Sequence, residues 1–420
     1  MWIFLIFLLM KLIYPYVIFP FNKKYNPSLT SQYFIYNDLY INFSIGNPKQ
    51  EIKGILDNNL RGLYIPNIIV NGNYNENKSN TYIYDYISDS TKIQRKLIYN
   101  GYTFLTKSSK ETLFFNQGKG KEEIPYNNFS FLLLTSNTTN AKLETAIIGL
   151  LASSNKDTFN TFFQLKEKNI ISFIYNNENS GEIIIGDYPH EYYNNLDTSS
   201  LKLFKAKSFL GEWIMEFSNV KYGNKNDSNK NAVFKNDIKG IISNRYYHEY
   251  VNNTFFGDLF IQKKCFYETI KNKNIKLSEL TIYYCDKDIN IKQFESLEFI
   301  SKEMNFSFVF DYNDLFQVYN NKFVFLVFFD SLYEENWKLG EIFMSKYKVF
   351  LDMDSHLFGF YTINKIKNHT VYYILIIILL IIIVFILVFL LYKGIIGNKT
   401  RKIRANELEE EYDYITSLND

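Results

Sequence analysis

The chain has 420 residues, and its 46 basic and 44 acidic side chains leave a net charge of only +2, so no basic surplus points to nucleic acid. Two cysteines and four scattered histidines (His190, His248, His356 and His369) exclude a clustered Cys/His metal site. A Gly-rich phosphate loop and a Gly-x-Ser-x-Gly elbow are both absent, so no cofactor is expected.

Met1 to Phe19 is almost wholly apolar, interrupted by Lys11. It reads as a secretory signal over residues 1–20, with a retained signal anchor as the alternative, and a short segment 21–37 follows. Short apolar runs then alternate with Asn, Gly, Asp and Ser clusters, among them Leu39 to Ile45, Ile52 to Leu56, Phe129 to Leu134, Phe306 to Phe310 and Phe323 to Phe328. This pattern predicts an all-β domain with short connections. Helical periodicity is confined to Thr158 to Lys168 and Ser243 to Phe256.

Val371 to Tyr392 carries no charge. At about 1.5 Å per residue it is about 33 Å long, enough for a bilayer core. Lys393, Lys399, Arg401, Lys402 and Arg404 follow it, which makes 393–420 a cytosolic tail and the chain a type I membrane protein of the secretory route or cell surface. Sequons at Asn77, Asn128, Asn137, Asn226, Asn252, Asn305 and Asn368 all precede the span, as in a glycoprotein. In an oxidising compartment Cys265 and Cys285 can pair; two buried thiols is the alternative.

One internal correspondence stands out. Gly54 to Pro66 lays over Ala232 to Asn244, each an apolar strand, a polar turn, a Gly and a second apolar strand. Such a repeat predicts two lobes related by a pseudo-twofold axis.

From Asn336 the chain reads Trp-Lys-Leu-Gly-Glu-Ile-Phe-Met, then Tyr347, Phe350-Leu-Asp352 and Gly359-Phe360. Earlier it reads Ile45-Gly-Asn-Pro-Lys-Gln50, Ala146-Ile-Ile-Gly-Leu150, Phe162-Phe-Gln-Leu and Gly181-Glu-Ile-Ile-Ile-Gly186, with Trp213 opening the second half. These landmarks resemble the pepsin family of aspartic peptidases over about residues 38 to 362. The resemblance implies a two-lobed all-β fold with lobes at 38–200 and 201–364; the uncharged run adds one C-terminal transmembrane helix at 371–392. It also places Cys265 and Cys285 where the family has a second-lobe disulfide.

The family's chemistry uses two Asp-Thr/Ser-Gly turns whose carboxylates share one proton, since like charges about 3 Å apart cannot both ionise. Here both turns depart. The first keeps Asp57 but continues Asn58-Asn59-Leu60-Arg61; in the second the same spacing puts Lys235 at the Asp position, followed by Asn236 and Asp237. A shift of two residues would instead make Asp237 the second acid. Tyr99, in Leu97-Ile-Tyr-Asn-Gly-Tyr102, matches the flap tyrosine, and Tyr64 and Arg61 are assigned to the cleft. The resemblance thus implies a pseudo-peptidase that binds a peptide or partner protein in a retained cleft; the alternative is an active, divergent endopeptidase using Asp57 and Asp237.

Overall fold

The computed structural model describes residues 17–23, 34–57, 60–84, 95–99, 102–115, 124–137, 143–150, 168–177, 179–193, 196–209, 212–271, 278–332 and 335–362, with 378–386, 388–390, 392–393 and 404. Among them, strands form sheets of 14, 9 and 4 members, and helices are short. One end of the largest sheet reads the same from both sides. Its order is Leu201–Lys205, Leu357–Tyr361, Phe350–Asp352, Ile170–Asn177, Ser180–Ile185, Val17–Lys23. Each half of the chain gives a hairpin and one flanking strand, and the two hairpins meet antiparallel at Ile171 and Leu351.

Val17–Lys23 pairs with Ser180–Ile185 on one side and with Leu39–Ile45 on the other. Val17, Ile18 and Phe19 are buried. The strand thus begins inside the stretch expected to be a signal peptide, and a cut after residue 20 would remove half of it. The cause is physical: a Val-Ile-Phe run serves equally as a signal's apolar core and as a strand covered on both faces. Phe34 and Ile35 are fully buried, and Tyr36 bridges to Ile238 in the second half.

Sequence patterns explain the remaining sheets. Leu297–Ser301 alternates buried and half-buried residues, as a one-face-buried strand should. Strand Lys322–Asp330 is apolar from Phe323 to Phe329, and it lies between Ile241–Ser243 and Glu279–Asp286 with Val324 to Phe329 buried. Cys265–Lys271 and Glu279–Asp286 are neighbours, and Cys265 stands directly opposite Cys285. The two are disulfide-bonded with Cα atoms 4.1 Å apart, closer than most bridges, because they face each other across one ladder.

The helix expected over Ser243 to Phe256 is found as Arg245–Val251, continued by a wider turn over Asn252–Phe256 and a last turn at Gly257–Ile261. Asn244 caps it, its side chain accepting from the Tyr247 amide at 3.1 Å. The helix expected over Thr158 to Lys168 lies outside the described residues except for Lys168.

The chain divides into two units, Met1–Ile363 and Asn364–Asp420. Among the described residues no helix is long and apolar enough to cross a membrane. Residues 378–386, 388–390 and 392–393 are helical, and the rest of the expected span at 371–392 is outside the described residues.

Candidate active site

The two turns of the internal repeat are built alike, strand by strand. In the first, Gln50–Asp57 runs parallel to Ala146–Leu150, with Leu56 opposite Ile148 and Asp57 opposite Gly149. The chain returns as Arg61–Pro66, antiparallel to the same strand, with Leu63 opposite Ile148. In the second, Asn231–Phe234 runs parallel to Trp337–Leu339 with Phe234 opposite Leu339, and Ile241–Ser243 returns antiparallel with Ile241 opposite Leu339. Phe234 therefore corresponds to Leu56, and Ile241 to Leu63. One residue past Phe234 is Lys235, and one past Leu56 is Asp57. Both flanking strands give the same register, so Lys235 occupies the position equivalent to Asp57 and Asp237 lies two residues further into the turn.

The second turn is tightly held. The Lys235 amide donates to the Leu339 carbonyl at 2.9 Å, and the Gly340 amide to the Gly240 carbonyl at 3.0 Å. Asn37, from the N-terminal segment, donates its amide to the Asp237 carbonyl at 2.8 Å and its side chain to the Asn236 carbonyl at 2.9 Å. The Lys239 amide donates to the Ile35 carbonyl at 2.8 Å. A Cβ on Gly340 would overlap the Gly240 and Ile238 carbonyl oxygens, so glycine is what lets this turn close against the start of helix Glu341–Tyr347.

Asn236 stands where the family has its Thr or Ser. It is 1% exposed, yet its side-chain amide makes no hydrogen bond. Whatever orients Asp57, it is not the Asn236 amide. Asn58 and Asn59, and the side chain of Arg61, lie outside the described residues.

Tyr99 ends strand Arg95–Tyr99 and pairs with Tyr102 across a hairpin. It packs with Tyr64, Leu60 and Ile55 around the cluster of Val70, Leu97 and Ile147, so Tyr99 and Tyr64 share one apolar patch. Burial raises the Tyr99 phenol well above its ordinary value, and the charges of Asp57, Asp38, Tyr40 and Asp237 raise it further. One hydroxyl from the first half thus lies within electrostatic reach of carboxylates from both halves. Asp38 and Tyr40 were missed by sequence reasoning; their place at the start of the strand before the first turn was the available signal.

Three other acidic residues hold the fold together. Asp187 takes Lys168 at 2.8 Å, and Asp352 accepts the Tyr188 hydroxyl at 3.0 Å. Glu341, at the place of the family's Leu-Gly-Asp acid, forms a buried ion pair with Lys23 of the N-terminal strand. Among the described residues no group of three His, Cys, Asp or Glu could hold a metal.

The crystal structure of basic 7S globulin from soybean is similar in three dimensions, with a TM-score of 0.57 over 83% of this chain and 96% of that one, at 14% identity. The fold is pepsin-like. No family model matches the chain, and no curated protein matches it by sequence.

Proposed function

We propose that this pepsin-like protein is a pseudo-peptidase, which holds a peptide or partner protein between its halves without cutting it. The observation that carries the reading is Lys235 at the position equivalent to Asp57. The aspartic mechanism needs one carboxylate to activate water and a second carboxyl to protonate the substrate carbonyl. An ammonium at the second position is not a carboxyl that can share a proton with Asp57 and alternate with it between acid and base. The unbonded amide of Asn236, in place of a bridging hydroxyl, agrees with a site released from catalytic constraint.

The proposal includes a secretory or cell-surface location with a single anchor at 371–392. It is supported by the uncharged run, by the basic residues behind it and by a disulfide of the kind that persists in oxidising compartments.

A second reading, a divergent endopeptidase using Asp57 and Asp237, is favoured by one observation: both carboxylates act on the Tyr99 phenol. The test is an assay of the full-length protein in detergent, at acidic pH, with a broad peptide library and a transition-state-mimic inhibitor. We expect no inhibitor-sensitive cleavage, and none from Lys235→Asp, which leaves Asn236 and Asp237 in the turn. Inhibitor-sensitive cleavage that both Asp57→Asn and Asp237→Asn abolish would sink the pseudo-peptidase reading.

A further inference from the structure

The second half of the chain holds a cavity of about 180 Å³ beside helix Arg245–Val251 and strand Asn219–Tyr222. Its walls are aromatic. Tyr222 and Tyr250 pack with ring centroids 4.9 Å apart on one side, and Phe255 and Phe294 at 5.0 Å on the other. Rings alone would suit any apolar guest, but the polar atoms narrow the choice. Glu295 is the one charged residue among those lining the cavity, and its carboxylate accepts the Tyr250 hydroxyl. A Cβ on Gly223 would overlap both Glu295 Oε2 and the Tyr250 hydroxyl, so a glycine cradles this pair.

Tyr247 also lines the cavity, 1% exposed, with a hydroxyl that makes no hydrogen bond. After burial, the groups that raise its phenol are Tyr250, Tyr222 and Glu295, all lining residues. A buried, unsatisfied hydroxyl beside a polar cavity is uncommon and calls for a physical reason.

Three classes of guest fit poorly. An anion would meet a carboxylate and no basic side chain. A metal ion would find a single carboxylate, with no grouping of three ligating residues among the described ones. A neutral hydrocarbon would lie against Glu295 and the tyrosine hydroxyls without answering them. A cation is attracted both by ring faces and by the carboxylate. The volume exceeds the roughly 150 Å³ in which a cavity admits benzene, so a trimethylammonium-sized group has room.

We infer that this cavity binds an organic ammonium cation, with its charge over the Tyr222, Tyr250 and Phe294 rings and against Glu295. No residue of it lies on the turns that carry Asp57 and Lys235, so the site stands whether or not the chain cleaves peptides. Thr254 and Glu295 at its rim are exposed, which leaves a way in.

Isothermal titration of the full-length protein in a maltoside detergent tests this with three probes: choline, n-butylammonium, and 3,3-dimethylbutan-1-ol as the neutral isostere of choline. Saturable binding of at least one ammonium is expected, with the alcohol weaker by at least about tenfold, the factor that about 1.4 kcal/mol makes. Choline binding alone would mark a quaternary guest; butylammonium binding alone would mark a lysine-like amine. Glu295→Gln, at an exposed position, should weaken the ammonium by about tenfold without lowering the unfolding temperature. The inference fails if neither ammonium saturates, if the alcohol binds as tightly, or if Glu295→Gln binds like the wild type.

Discussion

At the scale of single residues, the second turn is a backbone construction more than a side-chain one. Its amides and carbonyls are paired with Asn37, Ile35 and Leu339, while the Asn236 amide at its heart is not paired at all. Gly340 is the pivot. Gly340→Ala should destabilise the protein by about 1–3 kcal/mol, because the added methyl meets two carbonyl oxygens and neither can yield without unpairing. Chemical denaturation at neutral pH measures this, and an alanine variant as stable as wild type would show that the turn is looser than described. Asn236→Leu should cost nothing or stabilise, since it removes two buried polar atoms that no hydrogen bond satisfies.

At the scale of elements, helix Arg245–Val251 and the strands beneath it carry a pH-sensitive contact. His248 Nε2 lies 2.7 Å from the Tyr283 hydroxyl, which itself donates to Asn252 Oδ1, so the imidazole is the donor. Its ring stacks on Phe329 with centroids 4.0 Å apart. Burial pushes its pKa below the ordinary 6.5, and Glu249 offsets only part of this. The unfolded chain therefore takes up the proton first as pH falls. The contribution is fully present above about 6.5 and is lost as pH drops through the lower, folded value. His248→Gln keeps a donor without the titration. Between pH 7 and pH 5 it should lose less stability than the wild type, and equal losses would show that the proton goes elsewhere. The disulfide across Cys265–Lys271 and Glu279–Asp286 acts independently of pH in this range. Its double Ser variant should lose roughly 3 kcal/mol for a loop of 20 residues.

For the whole molecule, the Lys23–Glu341 pair links the N-terminal strand to a helix of the second half, with both side chains only 7% exposed. Removing one partner strands a buried charge and should cost about 3–5 kcal/mol, whereas Lys23→Met with Glu341→Leu should recover most of that. A double-mutant cycle by thermal unfolding checks it; additive losses would mean the two side chains act separately. The sequence allowed the β architecture to be read because alternating apolar runs and turn residues are a local pattern; the Cys265–Cys285 pairing rested on the expected compartment and the resemblance, and its place across one ladder was not legible. Lys235 follows Phe234 as Asp57 follows Leu56, and the proposed second dyad position rests on that count. What escaped was non-local. Nothing near Val17 announces that Ile185 will lie beside it, nothing near Asn37 announces Asp237, and nothing around Tyr222 points to Glu295.

The first strand has a consequence for how the chain is made. Val17–Lys23 is synthesised early, yet the ladder it completes is Ser180–Ile185. At about 5–20 residues per second, that partner emerges roughly ten to thirty seconds later. Throughout that interval the strand has only Leu39–Ile45 beside it, paired at Phe21 to Lys23, and its Val-Ile-Phe run waits for its ladder in a form that a translocation channel or a chaperone would hold as readily as the finished sheet does. Production of this protein should therefore depend on what attends its first two dozen residues, and slowing translation before residue 180 should raise the fraction that aggregates.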